Sequence, residues 1–126
     1  MQNVLWVGCG GFLGAVARFG VMQWTLPVTA RWGFPVGTLV ANLLGCLIIG
    51  FLFQLADART VLNAQARLFL FVGILGSFTT FSTFGLETFN LLEGRAYWLT
   101  LLNIGGHLFL GLTAVWVGRR IALAVL

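Results

Sequence analysis

Residues 68 to 92 form an apolar run long enough to cross a bilayer, yet its centre reads Gly73-Ile74-Leu75-Gly76-Ser77-Phe78-Thr79-Thr80-Phe81-Ser82-Thr83-Phe84. Five hydroxyls and three phenylalanines thus fall at membrane mid-depth. Backbone and hydroxyl groups in hydrocarbon have no bulk water to bond, so such a cluster is tolerated only where protein buries it or a polar pathway runs past it. That restricts the chain to a membrane fold with an internal site on this segment.

Composition agrees with the membrane setting. The chain is 60% hydrophobic and 8% charged, against a charged share of about 25% in soluble domains, and its mean hydropathy is +1.01. Apolar runs cover about 3–24, 36–56, 68–92 and 97–118, each near the ~20 residues that a spanning helix needs. The expected fold is therefore an all-α membrane protein, one domain over residues 1–126 with four transmembrane helices. The expected links are Thr25 to Pro35, Asp57 to Arg67 and the tight turn Glu93-Gly94-Arg95-Ala96. No charged start or small-residue cleavage site marks a signal peptide, so the first apolar run is expected to remain as a span.

The net charge of +4 rests on arginines without lysine. They are scattered through loops and span ends, with no basic run of the kind that binds nucleic acid. Cys9 and Cys46 lie inside apolar runs without a CxxC pattern or a histidine at ligand spacing, which argues against a metal cluster or structural disulfide. Nor does any residue set suggest an enzyme. With four spans, both termini and the second loop share one side, giving it Arg59, Arg67, Arg119 and Arg120. The other side has Arg31 and Arg95, with Arg18 if it snorkels outward. So small a bias leaves insertion in both orientations open.

Small residues one turn apart recur at Gly10 and Gly14, Ala41 and Gly45, Gly73 and Ser77, and Ala114 and Gly118. Such spacing lets helix backbones approach closely, and predicts tight bundling that includes a second subunit. Polar residues mark several spans. Asn42, one turn from Thr38, serves either as an interhelical hydrogen bond or as an amide donor facing an ion. Arg18 and Glu87 lie at similar depth, and a mutual pairing or a wet vestibule would offset their burial. Asn103 and His107 share one face of the fourth span, where His107 either bonds a neighbouring helix or relays protons.

Within the third span, hydroxyls can re-satisfy backbone groups released when a membrane helix unwinds, which predicts a break near residues 76 to 83. The two half-helices would then aim freed N–H groups and freed C=O groups at a central site. Phe78, Phe81 and Phe84 run at helical spacing. They read either as core packing or as rings whose positive edges line a path for a small anion.

Three ordered motifs bear a family resemblance: Gly10, Gly11, Gly14, Ala15 and Arg18 in the first span; Gly37, Thr38, Leu39, Asn42 and Gly45 in the second; and Thr79 to Phe84 in the third. Together they resemble the Fluc, or CrcB, fluoride channels over almost the whole chain. The resemblance implies a passive fluoride-selective channel of the bacterial inner membrane that confers fluoride resistance, built as an antiparallel dual-topology homodimer with two pores. It further implies a pore lined by Phe81 and Phe84 and faced by Asn42; Thr38, Ser82 and Thr83 are expected as further pore residues, and Arg18, Glu87, Asn103 and His107 as polar lining or vestibule. A structural sodium ion (Na+) at the dimer centre would be held by the backbone carbonyls of Gly76 and Thr79. Where the family usually has a second glycine this chain has Ser77.

The competing class is a small proton-coupled multidrug exporter of the four-span, dual-topology type. Such a carrier needs an embedded carboxylate in its first span, and this first span offers Arg18 instead. A purely structural assembly subunit would have no use for the Thr79 to Phe84 cluster.

Overall fold

The computed structural model describes residues 1–59 and 62–126, without the side chains of 58 and 59. Part of the expected second link, Thr60 and Val61, and the side chain of Arg59 therefore lie outside the described residues. The chain folds as α1 (Gln2–Trp32), α2 (Val36–Arg59), α3 (64–78), α4 (Phe81–Glu93) and α5 (Tyr97–Val125). Helices α1, α2 and α5 and the pair α3–α4 give four stretches long and apolar enough to span a membrane. The third is discontinuous at Thr79 and Thr80, inside the expected window.

Helix α1 continues to Trp32, past the expected end at Trp24. Pro27 lies within it, although proline was read as part of a link. One missing N–H is tolerated in a membrane helix, and the stop signal is further on. Gly33 adopts the left-handed conformation (φ 62°) and its N–H donates to Thr29 O at 2.9 Å, with Pro35 just beyond. Helix α3 starts earlier than expected because Asn63 caps it, its side chain accepting from Ala66 N at 2.8 Å. Between α4 and α5 the tight turn holds, with Arg95 at φ 57° and Ala96 N donating to Leu91 O at 2.9 Å.

Glycine spacing sets the packing. A methyl group added at Gly10 would strike Phe69 O, and one at Gly14 would strike Ile74 O, so α1 and α3 meet backbone to backbone. Gly50 and Gly118 do the same for α2 and α5, against Val115 O and Leu47 O respectively. The small-residue pairs thus join helices within one chain, in a medium where close van der Waals contact replaces hydrophobic drive. Helix α4 rests on the first part of α5 and touches α2 lightly. The five tryptophans are all exposed; Trp6, Trp32 and Trp98 lie near helix ends, where they suit interfacial anchoring, and Trp24 and Trp116 lie further in.

Two stretches depart from regular α-helix: 68–75 in α3 and 106–110 in α5 carry π-helical bonding. Both flank the break or face it, where wider turns are often found near functional sites.

Candidate functional site

The site begins with two residues on one face of α2. Asn42 and Gly45 are three apart, so an amide and a bare backbone point the same way. A Cβ at Gly45 would collide with the Thr79 methyl, and its absence lets the break come against α2. Asn42 then reaches Thr80 with both ends of its side chain. Nδ2 donates to Thr80 O at 3.1 Å, and Oδ1 accepts from Thr80 N at 2.8 Å. A carbonyl only accepts and an amide N–H only donates, so the orientation of the Asn42 amide is unambiguous.

The backbone is extended at Thr79 (φ −87°, ψ 158°) and Thr80 (φ −152°, ψ 120°). Before the break, Thr79 donates both its N–H, at 3.1 Å, and its hydroxyl, at 2.9 Å, to Leu75 O. After it, Thr80 caps α4: its Oγ1 accepts from Thr83 N at 3.2 Å and donates to Thr83 Oγ1 at 3.0 Å. Ser82 Oγ lies 3.3 Å from Thr80 Oγ1. In a continuous helix, Thr80 N would bond Gly76 O and Thr83 N would bond Thr79 O. Both donors are diverted, to Asn42 and to the Thr80 hydroxyl. The carbonyls of Gly76 and Thr79 thereby lose their i+4 donors, which leaves both as hard oxygens able to take another partner.

An apolar groove of about 610 Å³ runs beside the break, bounded by Asn42, Cys46, Gly76, Thr79, Phe81, Phe84 and His107 among others. Phe81 and Phe84 have ring centroids 5.6 Å apart, and His107 lies 4.3 Å from Phe84. Phe81 is 82% exposed, on the open side of the groove. His107 Nδ1 sits 2.9 Å from Asn103 O, and since that oxygen is an acceptor, Nδ1 carries the hydrogen. Its Nε2 is buried and has no hydrogen-bond partner among the described residues.

The remaining polar residues sit outside this groove. Thr38 is fully buried and donates to Glu87 Oε1 at 2.7 Å. The expected pairing of Arg18 with Glu87 is not formed: Glu87 Oε1 instead accepts from Thr38 of the adjacent α2. Glu87 also borders a second recess of about 340 Å³ with Asn90, Thr29 and Phe34. Asn103, fully buried, donates from Nδ2 to Thr88 Oγ1 at 2.8 Å, and Thr88 in turn donates to Phe84 O at 2.6 Å. Thr88 is not marked by the sequence, and Cys46 is marked there only as an isolated thiol. The four-residue spacing from Phe84 to Thr88 and from Asn42 to Cys46 is the signal that would have found them.

The fold and groove define a multi-pass membrane protein with a broken helix at an internal polar site, an architecture associated with transport. The chain belongs to the family described as CrcB-like protein, Camphor Resistance (CrcB), which matches residues 5–119. A relative from Oceanobacillus iheyensis, named fluoride-specific ion channel FluC, is 41% identical over 123 residues, covering 98% of this chain and 93% of its own. One of the same name from Salinibacter ruber is 44% identical over 130 residues, covering 100% and 93%. Fluoride-specific ion channel FluC 3 of Methanosarcina barkeri is 38% identical over 125 residues, covering 99% and 93%.

Proposed function

We propose that this protein is a fluoride-selective channel that lets the anion leave the cytoplasm passively and so gives fluoride resistance. Membership of a family whose relatives are named fluoride-specific ion channels carries this reading, and the chemistry of the groove supports it. Fluoride is small and strongly hydrated, so a narrow path must replace the water it sheds. Asn42 has one Nδ2 hydrogen beyond the one given to Thr80 O, and the edges of Phe81 and Phe84 offer positive partners. His107 packs against Phe84, with ring centroids 4.3 Å apart. A proton-coupled drug exporter is disfavoured, since α1 carries Arg18 and no carboxylate.

We further propose that the working unit is an antiparallel homodimer of two oppositely inserted copies in the bacterial inner membrane. The groove's exposure, the 82% exposed Phe81 and the weak arginine bias support it. A sodium ion would sit on the two-fold axis, held by Gly76 and Thr79 carbonyls from both chains. The residues fit such an ion: the carbonyls lack their helical donors, and neutral hard oxygens suit a monovalent cation better than a divalent one. When bound, the ion supplies a partner for oxygens that lipid cannot solvate.

Purified protein in sealed liposomes tests the function. Fast fluoride efflux with little chloride efflux is expected, and proton-driven uptake of a cationic drug without fluoride flux would replace the channel by the exporter.

A further inference from the structure

We infer that Asn42 is the residue that creates the break in the third span, and through it a positioning residue for the Gly76 carbonyl. This inference rests on the reading of Gly76 and Thr79 as ligands of a monovalent cation. In a continuous helix, Thr80 would donate its N–H to Gly76 O and accept from Phe84 N. The Asn42 side chain takes the place of Gly76 O, accepting from Thr80 N at 2.8 Å, and also donates to Thr80 O at 3.1 Å. A single side chain thus satisfies both backbone groups of Thr80, and at lipid depth such a partner is what lets this residue leave the helix. The contact is built into α2, since Gly45 on the same face admits the Thr79 methyl and brings the two backbones together.

The carbonyl of Gly76 becomes a ligand because its own donor has been taken. Thr79 O is released separately, by the hydroxyl of Thr80 accepting from Thr83 N. The cation site is thus switched on by one asparagine and one threonine, neither of which contributes a ligand atom. The same clamp orients the Asn42 amide so that its spare hydrogen belongs to Nδ2. One residue would therefore couple the cation site to the donor that meets the anion.

Sodium titrated against N-methylglucamine at constant ionic strength, with the unfolding midpoint of the intact detergent-solubilised protein followed by tryptophan fluorescence, tests this. The parent midpoint should rise with sodium, and Asn42→Ala should lower the apparent sodium affinity about tenfold or more. Asn42→Asp keeps an oxygen acceptor for Thr80 N but loses the Nδ2 hydrogen. It should retain the sodium dependence while fluoride flux falls. If Asn42→Ala keeps the parent's sodium affinity, Asn42 acts on the anion alone and the inference is overturned. Should the alanine variant not assemble, loss of sodium dependence in Asn42→Asp overturns it equally. A parent whose midpoint ignores sodium sinks the inference whatever its flux. Conversely, an Asn42-dependent sodium shift in a protein without fluoride flux upholds it and refutes the channel instead.

Discussion

Single atoms decide how close α2 can approach the break. At Gly45 the space for a Cβ is filled by the Thr79 methyl, so Gly45→Val must push the third span away. Overpacking of this kind costs about 1–3 kcal/mol. The expected result is a lower unfolding midpoint together with loss of fluoride flux in liposomes, and an unchanged midpoint would contradict the packing described. Phe84→Ile removes a ring whose centroid lies 4.3 Å from His107 and 5.6 Å from Phe81. Isoleucine fills similar space without a positive edge, so flux should fall while the assembled protein elutes as the parent does. Parent-like flux would take Phe84 out of the path. Asn103 is a quieter case. Its hydrogen bond to Thr88 is buried and interhelical, and bonds of that kind in membranes average about 0.6 kcal/mol with a ceiling near 1.7. Asn103→Ala should destabilise the protein by about that amount, as read by thermal unfolding.

Among the elements, α4 is the one most dependent on its cap. It begins at a break, packs on α5 and only lightly on α2, and its first turn is held by the Thr80 hydroxyl. Loss of such an N-cap costs about 1 kcal/mol. Thr80→Val should therefore lower the unfolding midpoint and return Thr83 N to Thr79 O. The backbone groups of Thr80 that bond Asn42 stay in place, so sodium should still stabilise the variant, though less strongly than the parent. Complete loss of sodium dependence would assign the release of Gly76 O to the hydroxyl instead of to Asn42. Helix α1 shows the opposite situation. Its contacts to α3 run backbone to backbone at Gly10 and Gly14, and it carries Pro27 without ending.

At the scale of the whole molecule, charge balance governs insertion. Counting by spans puts Arg59, Arg67, Arg119 and Arg120 on one side and Arg31 and Arg95 on the other, joined by Arg18 if it snorkels outward. Orientation follows the arginine and lysine count of short loops, so two lysines added to the turn at Glu93 to Ala96 should hold that turn in the cytoplasm. Such a variant should lose fluoride flux alone and regain it when an oppositely biased copy is co-expressed. Cysteine labelling that finds one orientation in the active parent would refute the antiparallel assembly.

Much of this architecture follows from local sequence. Apolar run length determines the number of spans, because hydrocarbon thickness sets a minimum helix length. The hydroxyl cluster from Ser77 to Thr83 marks the break, because only residues that can bond released backbone are admitted there. The helix ends were less legible. Pro27 looks like a stop in isolation, but α1 continues to Gly33, where a left-handed residue can close the last turn. Tertiary structure alone decided the partners. The depth of Arg18 and Glu87 suggested a pair, yet Glu87 bonds Thr38, because α4 comes against that point of α2. Asn42 was open between a structural bond and an ion-facing donor, and its two bonds to Thr80 establish the first while leaving one hydrogen for the second. Periodicity tells which face of a helix a residue occupies. Which backbone group waits on the other side depends on how close two helices come, and here that distance is set by Gly45 in α2.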